Sequence, residues 1–243
     1  MIKTIAILMA VFFTLLIQKP ATAQQDNFDY GLDSSFVDTL DLSIDDYNKY
    51  TPILGGKEVR MKEGLKINGM IIDYYPDSTT KHKGYYTHGQ LVSLYRNYYQ
   101  NGELERSFKV SGNFKLVIES FYPNTKPKEY IEYRKGEIIK YVEYYANGNM
   151  TTYEEYDKKK GYYLALRNYF PDGKLKSSLE LIDAKKKTYY QKEFFPSGGV
   201  KEEGPVLYNS AQWDYQRQGS WKVFDESGKL VETQEYYKGE LIL

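Results

Sequence analysis

The chain has 243 residues, and 33 Lys and Arg balance 33 Asp and Glu, so its formal net charge is zero. Because the chain has no cysteine, disulfides, thiolate catalysis and cysteine metal sites are excluded, and the neutral balance argues against a dedicated nucleic-acid-binding protein, which usually has a basic excess. The 27 Tyr, 11 Phe and 2 Trp are too many for a disordered chain and predict a folded, tyrosine-rich architecture.

The first 23 residues have the features of a secretory signal peptide. Lys3 supplies a positive charge, residues 5–17 form a nearly unbroken apolar run, and Ala21-Thr22-Ala23 forms a cleavage site of small residues. The apolar run is shorter than the roughly 20 residues that a membrane-spanning helix needs. We therefore expect export through a cleaved signal peptide to the periplasm or the extracellular space, without a lipid anchor on cysteine.

Residues 24–52 form an acidic N-terminal segment, in which seven Asp precede the first Lys. Two interpretations are open. The segment is either a partly ordered acidic linker or a piece of chain that folds back onto a basic surface of the protein.

The remainder, residues 53–243, contains an internal repeat in which a pair of residues, nearly always aromatic, is followed by a turn. The second residue of each pair recurs every 23 to 29 residues. The last copy has one extra residue before its glycine, and an insertion is expected near residues 209–218. The pairs are Tyr74-Tyr75, Tyr98-Tyr99, Phe121-Tyr122, Tyr144-Tyr145, Tyr169-Phe170, Phe194-Phe195 and Val223-Phe224.

Each repeat divides into two strand-like halves around this turn. Residues 138–145 and 150–156, for example, are rich in β-forming residues and flank Asn147-Gly148, a strong hairpin signal. The sequence therefore predicts an all-β fold, an elongated antiparallel meander of about seven β-hairpin repeats in a single curved sheet. A single hairpin is marginal in water, so neighbouring repeats must stabilise one another.

A family resemblance appears in the last repeat. The run Gln218-Gly219-Ser220-Trp221-Lys222-Val223-Phe224, continued by Gly228-Lys229-Leu230 and Tyr236-Tyr237-Lys238-Gly239, resembles the MORN repeat variant. This variant is found in the bacterial YwqK-like antitoxin family. The resemblance implies a β-hairpin repeat fold and an antitoxin-like or immunity-like protein that binds a toxin.

Residues two positions apart on a strand share a face. The residue two positions before the second member of each pair is polar in every copy, and Lys222 is the last of these. This face is a candidate binding surface for a glycan or a peptide strand, although cross-strand aromatic contacts also simply stabilise a thin sheet. Its candidate residues are Tyr75, Tyr99, Tyr122, Tyr141, Tyr145, Phe170 and Phe195.

The turns at the other ends of the predicted hairpins are rich in lysine. In a regular meander these turns align along one edge, which would attract an anionic surface such as lipid headgroups or acidic polysaccharide. Lysine-rich turns also simply keep a sheet edge soluble. The candidate basic edge contains Lys135, Lys158, Lys159, Lys160, Lys185, Lys186 and Lys187.

The sequence contains no recognisable catalytic motif, and we expect no catalytic residue, cofactor or metal site. His82 and His88 are both expected at the surface. The leading hypothesis is an exported, non-enzymatic repeat protein that presents an extended surface to a protein or envelope partner. The alternatives are a cell-envelope glycan-binding module and an antitoxin-like or immunity-like protein. No nucleic-acid partner is expected.

Overall fold

A computed structural model describes residues 35–36, 42–111, 114–158, 162–212 and 214–243. They belong to one compact unit, Leu32–Leu243. The predicted signal peptide, most of the predicted acidic segment, and Lys159 and Lys160 of the predicted basic edge lie outside the described residues.

Strands dominate because the repeats alternate β-forming runs with glycine-containing turns. Two 3-10 helices, Ile44–Tyr50 and Pro52–Leu54, lie among the first described residues. The strands of the described residues are β1 (Ser35–Phe36), β2 (Met61–Lys62), β3 (Leu65–Lys66), β4 (Gly69–Tyr74), β5 (Thr80–Thr87), β6 (Gln90–Tyr98), β7 (Leu104–Ser111), β8 (Lys115–Phe121), β9 (Pro127–Arg134), β10 (Glu137–Tyr144), β11 (Met150–Tyr156), β12 (Tyr163–Tyr169), β13 (Leu175–Asp183), β14 (Thr188–Phe194), β15 (Val200–Asn209), β16 (Asp214–Arg217), β17 (Gly219–Phe224), β18 (Leu230–Tyr237) and β19 (Glu240–Leu241).

The strands form one continuous antiparallel meander. Each strand from β4 to β15 pairs with its neighbours in chain order. β1 joins in parallel beside β4, while β2 and β3 form a separate ribbon. The predicted all-β meander is confirmed, and the predicted strands 138–145 and 150–156 match β10 and β11 to within one residue.

A β-bulge recurs beside every aromatic turn. Asp73 pairs with His82 and Tyr74 pairs with Thr80, so the strand register skips Lys81. The same shift occurs in each later hairpin of the repeat. We call the resulting set of skipped positions the bulge row, which contains Lys81, Glu105, Lys128, Thr151, Lys176, Lys201 and Val231.

The structure corrects the predicted alignment of the last repeat. The Asp225 N–H donates to the carbonyl of Lys229, and the Asp225 carbonyl accepts from the Gly228 N–H. Tyr145 makes the same two hydrogen bonds with Asn149 and Gly148. Asp225 therefore takes the place of the second aromatic residue, and the predicted extra residue before the glycine does not exist. In place of an aromatic ring, this position has a carboxylate that accepts hydrogen bonds from Ser227 and from the Lys229 backbone within the turn.

The predicted insertion lengthens one strand and adds another. β15 has ten residues, and both β16 and β17 pair with its outer edge. The two short strands are separated at Gln218, whose N–H donates to the carbonyl of Pro205 over 3.0 Å. The next residue, Gly219, has a φ of +66°, which glycine adopts without strain.

Strand pairing sorts the side chains into two parallel rows on one face, which we call the core face. The apolar row contains Ile71, Gly84, Tyr95, Phe108, Ile118, Ile131, Tyr141, Glu154, Leu166, Leu179, Gln191, Gly204, Trp221 and Gln234. The polar row contains Asp73, His82, Asn97, Arg106, Ser120, Glu129, Glu143, Thr152, Asn168, Ser177, Glu193, Glu202, Val223 and Glu232. Lys222, predicted for this face, instead pairs with Glu203 on the opposite, outer face.

Two clusters of buried side chains lie at different places along the sheet. In the first cluster, Tyr86, Tyr95 and Phe108 are covered by Tyr47 and Tyr50 of the first 3-10 helix. We call residues 42–51 the strap, because they cover the core face there. The second cluster contains Leu179, Tyr189, Val206 and Trp221. The last ten residues of the predicted acidic segment that precede Pro52 are thus folded against the sheet.

Candidate functional site

The second residues of the pairs lie in the turns along one edge of the sheet, and their hydroxyls link successive repeats. Each tyrosine donates to a backbone carbonyl at the end of the first strand of the next repeat. The bonds run from Tyr75 to Tyr98 (2.7 Å), from Tyr99 to Phe121 (2.8 Å), from Tyr122 to Tyr144 (2.7 Å) and from Tyr145 to Tyr169 (3.1 Å). Phe170 and Phe195 have no hydroxyl, and Tyr141 lies in the apolar row instead.

The substitution Tyr122→Phe tests this linkage. It leaves the ring in place and removes one hydrogen bond, so we expect the free energy of unfolding to fall by about 0.5–1.5 kcal/mol. Urea denaturation of both proteins measures the difference. Tyr122→Phe as stable as the parent would show that the hydroxyl link contributes nothing, and Phe170→Tyr in the hydroxyl-free part serves as the reverse substitution.

Two clefts of the same volume lie along this aromatic-turn edge, in equivalent positions of different repeats. The N-terminal cleft, of about 380 Å³, is lined by Tyr75, Lys81, Asn97 and Glu105, together with Leu42, Ser43, Ile44 and Tyr47 of the strap. The C-terminal cleft, also about 380 Å³, is lined by Phe170, Lys176, Ser177, Glu193, Phe194, Phe195, Pro196 and Lys201. Volumes of this size lie within the range of ligand sites in proteins.

Bulge-row residues line both clefts. Phe170 corresponds to Tyr75, Lys176 to Lys81 and Lys201 to Glu105, because each bulge residue follows the second residue of its pair by six positions. In each cleft, two bulge-row residues and the ring of a second aromatic residue therefore line the same space. Burial raises the pKa of the Glu105 carboxyl, while Arg106 and Lys128 oppose this rise.

Beneath the strap, a network of buried polar side chains ties three segments together. Asp73 accepts two hydrogen bonds of 2.7 Å from Arg60 and one of 2.9 Å from the hydroxyl of Tyr47. His82 stacks on the Tyr47 ring with 3.9 Å between ring centroids. Its Nε2 lies 3.2 Å from the Tyr86 hydroxyl. The network therefore holds the strap and the residue-60 loop on β4 and β5.

The prediction that both histidines lie at the surface is wrong for His82 and holds for His88. His82 is 0 % exposed, because the polar row passes under the strap at this point, whereas His88 is exposed in the next turn. Burial, and then the nearby Arg60 guanidinium, hold the pKa of His82 well below 6.5.

This pKa shift makes the stability of the strap region dependent on pH. The folded protein keeps His82 neutral, while the unfolded chain binds a proton near pH 6.5. The free energy of unfolding should therefore fall as the pH drops below 6.5 towards the lower folded pKa. Thermal denaturation between pH 7.5 and 5 measures this, with His82→Gln expected to flatten the slope and His88→Gln expected to leave it unchanged. An unaltered slope in His82→Gln would contradict the assignment.

The opposite edge carries the lysine turns. Lys135 lies between β9 and β10, Lys158 follows β11, and Lys185 and Lys186 lie between β13 and β14. The structure thus places them in successive turns of one edge, where they are exposed. Lys187 is half-buried and its ammonium lies 5.0 Å from the centre of the Tyr208 ring, so it packs against the sheet.

From β9 to β12, the strap no longer covers the core face, and half-buried side chains continue both rows until the second buried cluster begins at Leu179. Ile131, Tyr141 and Leu166 are half-buried in the apolar row. In the polar row, Glu129 pairs directly with Glu143 and Glu193 with Glu202. Burial and the carboxylates of Glu143, Glu129 and Glu154 raise the pKa of Tyr141 to about 12. This open part of the core face is acidic as well as aromatic.

Sequence reasoning missed the bulge row, whereas folding back of the acidic segment, which residues 42–51 show, was one of its two open interpretations. The bulge row had a sequence signal, because a lysine follows the second aromatic by six positions in four repeats (Lys81, Lys128, Lys176 and Lys201). The strap had a weaker sequence signal, since Tyr47 and Tyr50 are aromatic residues within the acidic segment. Within the described residues, no cluster of three or more His, Asp or Glu is arranged to hold a metal, and no helix is long and apolar enough to cross a membrane.

Comparisons with known proteins identify the last repeat. Residues 217–238 match the MORN repeat variant family, and no curated protein sequence matches the chain. Among solved structures, the chain is similar to TarM (19% identity, 36% of this chain and 17% of that one, TM-score 0.26). It is also similar to a mutant of S. aureus TarM in complex with fondaparinux, alpha-GlcNAc-glycerol and UDP (14%, 51% and 19%, TM-score 0.27), and to a TcdB2-TccC3-Cdc42 complex (12%, 67% and 9%, TM-score 0.20). The chain spans less than a fifth of the length of each of these structures.

Proposed function

We propose that this chain is an exported, non-enzymatic repeat protein whose open core face binds an extended partner protein. One observation carries the proposal: the strap covers the core face at its first repeats, and in β9 to β12 the same rows continue half-buried, with no described residue of the strap over them. The strap contributes Tyr47 and Tyr50 to the covered part. A partner segment with apolar and aromatic side chains would pack against the open part in the same manner.

The composition of the open face supports a protein partner. Aromatic side chains are enriched in protein interfaces and supply much of their binding energy, and this face offers Tyr141 and Leu166 as half-buried side chains. The directly opposed pairs Glu129–Glu143 and Glu193–Glu202 repel across the strands. Basic groups of a partner would relieve that repulsion, so the partner's contacting segment should be cationic.

The proposed export rests on the N-terminal signal-peptide features of the sequence. The match of residues 217–238 to the MORN repeat variant supports a repeat protein, and the resemblance to YwqK-like antitoxins makes binding to a toxin the second candidate function. In both cases the chain acts by covering a surface of another protein. The lysine turns would then contact an anionic surface of the cell envelope.

Capture of the partner with matched variants tests the proposal. Immobilised mature protein is exposed to the envelope fraction and to the culture medium of the source cells. We expect the double variant Tyr141→Ala, Leu166→Ala to lose at least about tenfold in capture, since interface hot spots contribute more than 1 kcal/mol each. The control Tyr130→Ala, Tyr153→Ala changes two half-buried residues of the outer face. Equal capture by both double variants would contradict binding on the core face.

A further inference from the structure

We propose that the aromatic-turn edge is a second binding site, distinct from the open apolar row, and that it takes an extended β-linked glycan with a carboxylate on alternate sugars. Three features of the C-terminal cleft carry this proposal. They are an aromatic wall, a pair of exposed ammonium groups and a spacing set by the sheet.

The aromatic wall comes from Phe170 and Phe195, which are half-buried and line the cleft together with Phe194. Unlike the tyrosines at the same positions of earlier repeats, these rings have no hydroxyl bound to the next repeat. The flat, apolar face of a sugar ring packs against such rings, while its hydroxyls bond to the polar groups beside them. Ser177 and Glu193 of the polar row lie in the same cleft and supply those groups.

The charged groups are the bulge lysines. Lys128 and Lys176 are exposed, and neither makes an ion pair with any described residue. Lys201 lies 3.9 Å from Glu193, at the limit of an ion pair, and its side chain is 52% exposed. Three of the five bulge positions from the third repeat onward are therefore cationic. Ammonium groups arranged along a line can each bind one carboxylate of an extended polymer.

The spacing follows from the strand pairing. Equivalent bulge positions are separated by two strands, which is about 9–10 Å across the sheet. The disaccharide repeat of an extended β-linked glycan has a similar length. Each disaccharide would therefore lie beside one aromatic turn and one bulge position. A chain with one carboxylate per disaccharide places that group beside Lys176 and again beside Lys201. A neutral glycan offers no carboxylate to either ammonium group.

The N-terminal cleft has the same construction with different residues. Glu105 stands where the C-terminal cleft has Lys201, Tyr75 replaces Phe170, and Leu42 and Ser43 of the strap form an additional wall. A carboxylate beside Glu105 would be repelled. The acidic glycan therefore binds the later repeats and stops before the strap.

Titration with defined oligosaccharides tests the proposal on the full mature chain. A hyaluronan hexasaccharide supplies alternate β-linked sugars with carboxylates, and cellohexaose is the neutral probe of equal length. Calorimetry should give at least about tenfold tighter binding of the hyaluronan hexasaccharide, the factor expected for one charge-assisted hydrogen bond. Equal binding of both oligosaccharides, or no binding of the hyaluronan hexasaccharide, would overturn the proposal.

Substitutions in the C-terminal cleft test whether the oligosaccharide binds there. The double variant Lys176→Glu, Lys201→Glu should weaken binding of the hyaluronan hexasaccharide by tenfold or more, and Phe195→Ala should weaken it as well. The matched control Lys185→Glu, Lys186→Glu makes the same change of charge on the opposite edge, where both lysines are exposed. If this control loses as much affinity as the bulge variant, general attraction to lysines anywhere on the surface explains the binding and the C-terminal cleft does not. Circular dichroism verifies that each variant remains folded.

Discussion

Replacing Asp73 by Ala is expected to lower the free energy of unfolding by about 3–5 kcal/mol, because it leaves a buried charge without its partner. Arg60 and Asp73 share two hydrogen bonds of 2.7 Å, and their side chains are only 2% and 0% exposed. The same substitution removes the acceptor of the Tyr47 hydroxyl. The strap should therefore loosen before the rest of the sheet unfolds.

Amide hydrogen exchange shows which parts of the protein lose stability in this variant. Amides of β4, β5 and the strap should exchange faster in Asp73→Ala, while those of β13 to β15 keep their protection. The control is Glu180→Ala, which breaks the half-exposed Arg167–Glu180 pair of 2.6 Å and should cost only about 0.2–1 kcal/mol. Similar losses in both variants would show that the buried network is no more important than a surface ion pair.

Replacing Trp221 by Ala is expected to have an effect of similar size in the second cluster, about 3–5 kcal/mol. Trp221 is 0% exposed and its Nε1 donates to the carbonyl of Pro205 over 2.9 Å. The Arg217 guanidinium stacks 3.9 Å from the centre of its ring. The substitution thus removes a buried ring, a hydrogen bond and a cation–π contact at once.

Gly204 explains how the indole fits against the neighbouring strand. A Cβ atom at this position would lie 2.4 Å from Cγ of Trp221, so Gly204→Ala should destabilise the protein by about 1–3 kcal/mol through overpacking. The double variant Gly204→Ala, Trp221→Ala should lose less than the sum of the single variants, because the added methyl group then enters vacated space. Gly199→Ala, with no atom within 4 Å of its Cβ, is the control. Additive losses would contradict the packing of Trp221 on Gly204.

The sheet was predictable from the repeat, because the turn residues and β-forming runs of each hairpin mark where its strands begin and end. Asn147-Gly148 and the flanking β-forming runs place β10 and β11 to within one residue. The alignment of the last repeat failed because Val223-Phe224 has the hydrophobicity of an aromatic pair. Only the hydrogen bonds of the turn reveal that Asp225 occupies the second position. With that shift, Trp221 enters the apolar row and Lys222 moves to the outer face.

The strap network was unpredictable from local patterns. Tyr47, Arg60, Asp73 and His82 each belong to a different segment, and only the folded chain brings them together. Hydrophobicity argues against burial of Arg60 and Asp73, because an unpaired buried charge is costly. Their pairing removes that cost, and no spacing in the sequence encodes it. The bulges themselves were also hidden, since a bulge shifts register without altering the residues that form the strands. Only the recurring lysines at four of these positions left a signal in the sequence.

The most direct test of binding on the open core face is thiol labelling, since the chain has no cysteine of its own. Single substitutions Leu166→Cys, Arg167→Cys and Phe108→Cys place a thiol on the open core face, on the outer face and under the strap. In the free protein, Leu166→Cys and Arg167→Cys should react rapidly and Phe108→Cys slowly, because Phe108 is 0% exposed. With the captured partner bound, we predict that only Leu166→Cys becomes protected. Protection of Arg167→Cys, with Leu166→Cys still reactive, would contradict the account.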